Sequence, residues 1–439
     1  MPNTPDTAAA SRPAMTSPTI RAGAASRGDS RRASGHDATR RAVAVLLAAA
    51  FVQALGYSAW MPLLPLYLRS YVVPGRSAEI AGNVGLLSGA YTLALFASAA
   101  WWGRLSDRHG RRLVLVSGFA TYLAGMFGSA LAANLAQAYT ARILSGVGAA
   151  AVIPAAQAYL ADVSDRPARN RRFALLASAS FIGFVTGPLL GTWLAGPVMG
   201  MSTQAMPWMV KLPLAVVAVL GVMLLPLLAC SLRAPGPQAI EEAGNTSAVR
   251  DRRFAWTSMI LAGLAAYAVG SFETGFNLLG AMRLGAAVGA VALLFVACSG
   301  FMLVAQGLLA WGPLRERFER RWMAAVLAVG AGFMLAAPRM PSMLSLGMTV
   351  AAVALSIGLV APSLAYALLD HDAGAKGAKL GRLAAAGNLG QALGAFVSGG
   401  LFALRPEAPF VLAALLLLGG SAGAWLYWRP RTPARVEAS

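Results

Sequence analysis

Charge is scarce in this chain. Of its 439 residues only 12% are Asp, Glu, Lys or Arg, about half the ~25% of a soluble globular domain. With 57% hydrophobic residues and a mean hydropathy of +0.62, that scarcity excludes a solvated soluble fold. Cysteine is nearly absent. The two present, Cys230 and Cys298, fall in apolar runs, so neither a disulfide framework nor a metal site is expected. The three histidines, His36, His109 and His371, lie in polar segments away from any buried acid. No nucleophile, acid and base cluster as an enzyme site needs, so no catalytic residue is assigned. The phosphate-binding pattern G-x-x-x-x-G-K-[S/T] is missing, which leaves ATP hydrolysis without support. Residues 1–41 are rich in Ala, Ser, Thr, Pro and Arg but have no apolar core. They cannot form a secretory signal and read as a disordered tail. Asp6, Asp29 and Asp37 argue against a transit peptide.

What is present is apolar runs long enough to cross a bilayer, about 20 residues each. They fall near 42–67, 84–102, 113–133, 136–160, 173–195, 207–231, 254–280, 286–311, 322–338, 342–369, 381–403 and 408–428. Twelve spans predict an all-α membrane protein. The chain is strongly basic, at +19, and the placement of that charge gives an orientation. Of 36 Lys and Arg, six (Arg69, Arg76, Lys211, Arg283, Arg339, Arg405) lie in the segments of one side and Arg142 lies inside a span. The remainder share the side of both termini, which the inside-positive rule makes cytoplasmic. The basic charge is therefore topology and not a nucleic-acid footprint. The expected partners are lipid bilayer and a small molecule, with no nucleic acid. The chain is expected to act as a monomer in a bacterial inner membrane.

The longest loop, 232–253, carries Pro235, Pro237, Glu241, Glu242 and a basic cluster ending at Arg253. It divides the chain into a tail (1–41), a six-span half (42–231), a linker, a second six-span half (254–428) and a short tail (429–439). The halves echo each other. Gly103-Arg-Leu-Ser-Asp107-Arg108-His-Gly110-Arg111-Arg112 matches Gly312-Pro-Leu-Arg-Glu316-Arg317-Phe-Glu-Arg320-Arg321 at an offset of 209. Pro154 through Asp162 matches Pro362 through Asp370 at an offset of 208 to the proline. Two matches at nearly one offset predict two pseudo-symmetric six-helix bundles.

At these residues the chain resembles the major facilitator superfamily. Gly103 to Arg112 looks like the loop signature of that family between its second and third spans. Gly183-Phe-Val-Thr-Gly187-Pro188-Leu-Leu-Gly191 resembles the antiporter pattern of the fifth span, with Thr192 where a glycine is usual. Arg142-Ile-Leu-Ser145-Gly146-Val-Gly148 resembles the fourth-span pattern, with Ser145 where glutamine is usual. Met61-Pro-Leu-Leu-Pro65 is similar to multidrug exporters. Together the resemblance implies the 12-span drug:proton antiporter branch. The expected work is export of a small amphipathic compound, drug or endogenous metabolite such as a siderophore, by alternating access. The proton gradient would be the energy source, with no cofactor and no metal. The alternative on the same fold is a symporter or facilitator that imports a small metabolite.

The residues then acquire roles. Glu273 is the one acid inside a span. A carboxyl there is costly to leave charged and is suited to loading and releasing a proton. Arg142, about 9 Å into its helix, is a second candidate for coupling. Gly103, Asp107, Arg108, Gly110, Arg111 and Arg112 form a latch. In it Asp107 caps the eleventh span near Gly381, and one of the arginines pairs with Asp162. Gly183, Gly187 and Gly191 share one face beside the bend at Pro188, a face suited either to sealing the boundary between halves or to ordinary close packing. Gln53, Tyr57, Trp60, Gln157, Asn277, Asn388 and Gln391 are candidates to line a central cavity. Most other tryptophans, Trp101, Trp102, Trp208, Trp256, Trp311, Trp322, Trp425 and Trp428, are expected as an interfacial belt.

Overall fold

The computed structural model describes residues 18–164, 166–196, 207–232, 252–310, 320–371 and 376–427. The helices are α1 (Pro18–Trp60), α2 (Leu64–Leu68), α3 (Ser77–His109), α4 (Arg111–Leu131), α5 (Leu135–Asp162), α6 (Arg166–Leu194) and α7 (Pro207–Ser231). The second half holds α8 (Arg252–Leu278), α9 (Val288–Ala310), α10 (Arg320–Ala336), α11 (Met343–Gly358), α12 (Val360–His371), α13 (Lys376–Leu404) and α14 (Ala408–Tyr427). A 3₁₀ turn, Met61–Leu63, joins α1 to α2 in one rod. A break at Leu359 joins α11 to α12, three residues before Pro362. Twelve rods result, and no strand occurs among the described residues.

Local chemistry sets the corners. Gly110 alone separates α3 from α4, with a φ of +88° that other residues rarely adopt. Asn134 caps α5 by accepting from the Gln137 N–H at 2.9 Å. Ser342 and Ser345 close a reciprocal capping box at the start of α11.

The pairing of rods repeats between halves. α1 packs on α6 and α7, as α8 packs on α13 and α14. α4 packs on α5 and α7, as α10 packs on α11 and α14. α3 packs on α5, as α9 packs on α11. The halves meet through α3 against α13 and α6 against α9, one contact being the symmetry image of the other. This is two pseudo-symmetric six-helix bundles, as the offsets of 208 and 209 imply.

Two expectations need correction, the start of α1 and the place of Trp102. Helix α1 begins at Pro18, well inside the stretch 1–41 read as a tail. Proline is favourable in the first helical turn, and the Ala- and Arg-rich sequence after it tolerates a helix. Among the described residues, eleven of the twelve rods are apolar and long enough to count as spans by composition alone. The one that falls short is α13, although it runs 29 residues. It packs between α8 and α3, so part of its surface faces protein and need not be apolar. Trp102 is no surface anchor: it is buried and donates its indole N–H to the Val147 carbonyl at 2.7 Å. Trp101, Trp208, Trp256, Trp322 and Trp425 are exposed at rod ends, as a belt requires. Residues 1–17, most of the 232–253 linker, Gly312 to Glu319 of the second loop repeat, Trp311, Trp428 and the 429–439 tail lie outside the described residues.

Candidate functional site

A small cavity sits where the halves meet. Tyr57, Met61, Val84, Ser88 and Thr92 line it from the first half, and Gly270, Glu273, Thr274, Asn277, Gln391 and Ala395 from the second. Its free volume of ≈ 10 Å³ holds about one water. Glu273 lies within α8, not beyond its end, and Gln391 Nε2 is 3.5 Å from its Oε2. So α8 and α13 present the acid and its amide neighbour together.

At the end of the bundle where α1 stops and α3 begins, the two halves touch closely. Asn277 Nδ2 donates to the Met61 carbonyl at 2.6 Å, tying α8 to the end of α1. A Cβ on Gly85 of α3 would lie 2.6 Å from the Ala395 carbonyl oxygen and 2.7 Å from Gly399 Cα of α13. One on Gly89 would lie 2.8 Å from Phe396 Cβ. Main chain therefore touches main chain here, and only glycine permits it.

Arg142 is fully buried in α5. Its guanidinium lies over three rings, 4.3 Å from Tyr91, 4.5 Å from Trp60 and 5.4 Å from Tyr57. Among the described residues no acceptor reaches its Nε, Nη1 or Nη2, nor does any reach it from the backbone. A buried ion costs several kcal/mol after relaxation, and a ring returns about 2 kcal/mol when desolvated. Three rings therefore return a sum comparable to that cost, but they leave the hydrogen bonds of the guanidinium unmade. Trp60 is likewise buried with its Nε1 unpartnered. Tyr57 stands between two charges: its ring flanks Arg142 and its side chain lines the cavity of Glu273.

Not every cavity candidate reaches the cavity. Gln53 is buried within the first bundle and donates to the Ala149 carbonyl at 3.1 Å. Trp60 faces Arg142, and Gln157 is exposed on α5 outside the cavity lining. Asn388 is half-buried on α13, one turn from Gln391 but also outside that lining. Tyr57, Asn277 and Gln391 do line it. Ser88, Thr92 and Thr274 join them, and nothing in their sequence context distinguishes them from other small hydroxyl residues.

The glycine face of α6 turns toward α1, not toward the other half. A Cβ on Gly183 would meet the Phe51 carbonyl oxygen at 2.6 Å, while Gly187 abuts Ser58 and Gly191 abuts Ala59. Ser58 Oγ donates to the Gly183 carbonyl at 3.1 Å. Sealing between halves is thus not the task of this face; the close approach of α1 and α6 is. Thr192 satisfies its hydroxyl on the Pro188 carbonyl at 2.9 Å, and α6 runs on through Pro188.

At the other end, Arg111 joins two acids. It pairs with Asp107 across the Gly110 corner, and its Nε is 3.5 Å from Asp162 Oδ2 at the end of α5. Asp107 is 72% exposed and its ion pair is with Arg111, while α13 begins at Lys376, upstream of Gly381. The expected Asp107 cap on the eleventh span is therefore replaced here by a tie within the first half. Gly103, Arg104, Arg108 and His109 are exposed around it.

The sequence profile described as Major Facilitator Superfamily matches residues 46–371. The chain belongs to the major facilitator superfamily. Among relatives of this superfamily, multidrug resistance protein 2 of Bacillus subtilis is 23% identical over 392 residues, 88% of this chain and 95% of that protein. The class C tetracycline resistance protein of Escherichia coli is 36% identical over 157 residues, 35% of this chain and 38% of that protein. A bacterial homologue of the human lysosomal transporter Spinster, in an inward-facing and occupied conformation, superposes with a TM-score of 0.70 at 16% identity, covering 89% of this chain and 96% of that one. Superfamily symmetry also exposes residues missed above. Gly390, Gly394 and Ser398 repeat Gly183, Gly187 and Gly191 at an offset of 207. They pack α13 on Gly263, Tyr267 and Ser271 of α8 as their counterparts pack α6 on α1. The exchange of the last glycine for serine hid this repeat.

Proposed function

We propose that this superfamily member exports a small amphipathic compound by alternating access, driven by protons entering in exchange. The observation that carries the reading is Glu273, a carboxylate inside a span that lines a cavity shared by both halves. A proton bound there neutralises the acid while the halves rearrange, and its release on the other side resets the site. The relatives named for multidrug and tetracycline resistance support export over import. Arg142 sets the charge balance of the first half beside that acid. Arg111, between Asp107 and Asp162, ties the ends of α3, α4 and α5 into one unit that moves as a body. Both termini and the Gly103–Arg112 loop face the cytoplasm of a bacterial inner membrane, on the count of Lys and Arg.

The test is reconstitution in liposomes with an imposed pH gradient and a lipophilic dye. Wild type is expected to move dye against the proton flow. Glu273→Gln should abolish gradient-driven movement while protein level in the membrane stays unchanged. Undiminished dye movement by that variant would remove Glu273 as the carrier.

A further inference from the structure

Among the described residues the Arg142 cage has no carboxylate. Tyr57, Trp60 and Tyr91 surround the guanidinium at 4.3 to 5.4 Å, with Tyr122 and Tyr67 its further electrostatic neighbours. α1 contributes Gln53, Tyr57 and Trp60 near it and no acid. Glu273 lies on the far side of Tyr57, held by Gln391. Four unpartnered donors gather here, three guanidinium nitrogens and the Trp60 indole N–H, each on a side chain at most 1% exposed, against one unpartnered acceptor, Gln53 Oε1. An excess of unpartnered donors around a fixed positive charge recognises an anion, and a guanidinium fork fits a carboxylate in two-point fashion.

Resting on the exporter reading, we propose that the cage seats the acidic group of the transported compound. The substrate class is then small amphipathic acids, with an apolar body and a carboxylate or sulfonate. The way in is short. Tyr57 is the one cage residue that also lines the cavity, so turning its ring opens the guanidinium to a compound there. Tyr57 acts as a positioning residue: its ring shields Arg142 when the seat is empty and stacks on the apolar body when it is filled. Glu273 sits outside the seat, so the acid group and the proton occupy different positions in the same interface.

The test uses the full chain in nanodiscs without any gradient, read as a shift in Tm. The probes are 1-naphthoate, 1-naphthamide and sodium chloride against an osmotically matched sucrose control. Naphthoate is expected to protect wild type at least tenfold more tightly than the isosteric amide. Arg142→Gln should lose that preference, and Arg142→Lys should restore part of it. Tyr57→Phe should keep it, because the ring and not the hydroxyl does the stacking. Equal protection by acid and amide in wild type overturns the proposal without recourse to any variant. So does chloride that protects as well as naphthoate and competes it away, since the seat would then belong to a free inorganic ion. Dye export with no preference for the acid sinks this inference and leaves the exporter standing. Acid binding with no proton-driven transport of any compound sinks the exporter reading instead.

Discussion

Arg142 and Glu273 are the two side chains that ordinary membrane packing would not retain. Each is a formal charge inside a span. Glu273 has an amide neighbour and a water-sized space, whereas Arg142 has only rings. Replacing a buried ion whose hydrogen bonds are unmade by an apolar residue of similar length removes its desolvation cost. Arg142→Met should therefore raise unfolding stability, by about 1–4 kcal/mol, read as a higher Tm in detergent. A lower Tm would mean that the guanidinium stabilises the bundle. The placement of both charges inside spans was legible in the sequence, because a charge in an apolar run needs no alignment to stand out. Their surroundings were not: that Gln53 turns to Ala149, and that Trp60 turns to Arg142 and not to the cavity, depends on which way α1 is rotated.

Among elements, the paired helices α1 and α6 show what a glycine stripe does here. Three glycines at a spacing of four announced a close approach but not its partner. Both α1 and the opposite half were available, and the structure chooses α1. Gly187→Val would overlap Ser58 and the Leu55 carbonyl. Overpacking of this kind costs about 1–3 kcal/mol, so the variant should show a lower Tm and a reduced yield of folded protein. The α3–α4 corner makes a different prediction. Arg111→Ala leaves Asp107 and Asp162 facing each other without their shared cation. Turnover of dye should fall by more than the apparent affinity weakens; an unchanged maximal rate would reduce the corner to a topology anchor. The break between α11 and α12 and the early start of α1 escaped sequence reading. Hydropathy marks where a helix is oily and is nearly blind to where it begins.

Across the whole molecule, duplication was the strongest signal in the sequence. Six rods and six rods at a constant offset imply the paired contacts, α3 with α13 and α6 with α9, that join the halves. The composition of α13 shows the limit of that signal. A rod packed between others need not be oily, and by hydropathy alone it falls below the threshold of its neighbours. The contact of α3 with α13 also yields a global prediction. With Cys230 and Cys298 replaced, spin labels at positions 76 and 405 report the opening of the end opposite the termini. Gly399→Val should shift their distance distribution toward longer separations, because its side chain would strike the Ala81 and Gly82 carbonyls. An unaltered distribution would show that this contact does not hold the end shut.

The Gly85–Gly399 contact has one more consequence. A gate built from bulky side chains can yield by degrees, each rotamer letting a little through. Two bare backbones pressed together have nothing to swing aside, so they are either apposed or parted. Such a gate tolerates no half-open posture, and under the proton-driven exchange proposed above a barrier that fails only all at once would pass no proton uncoupled.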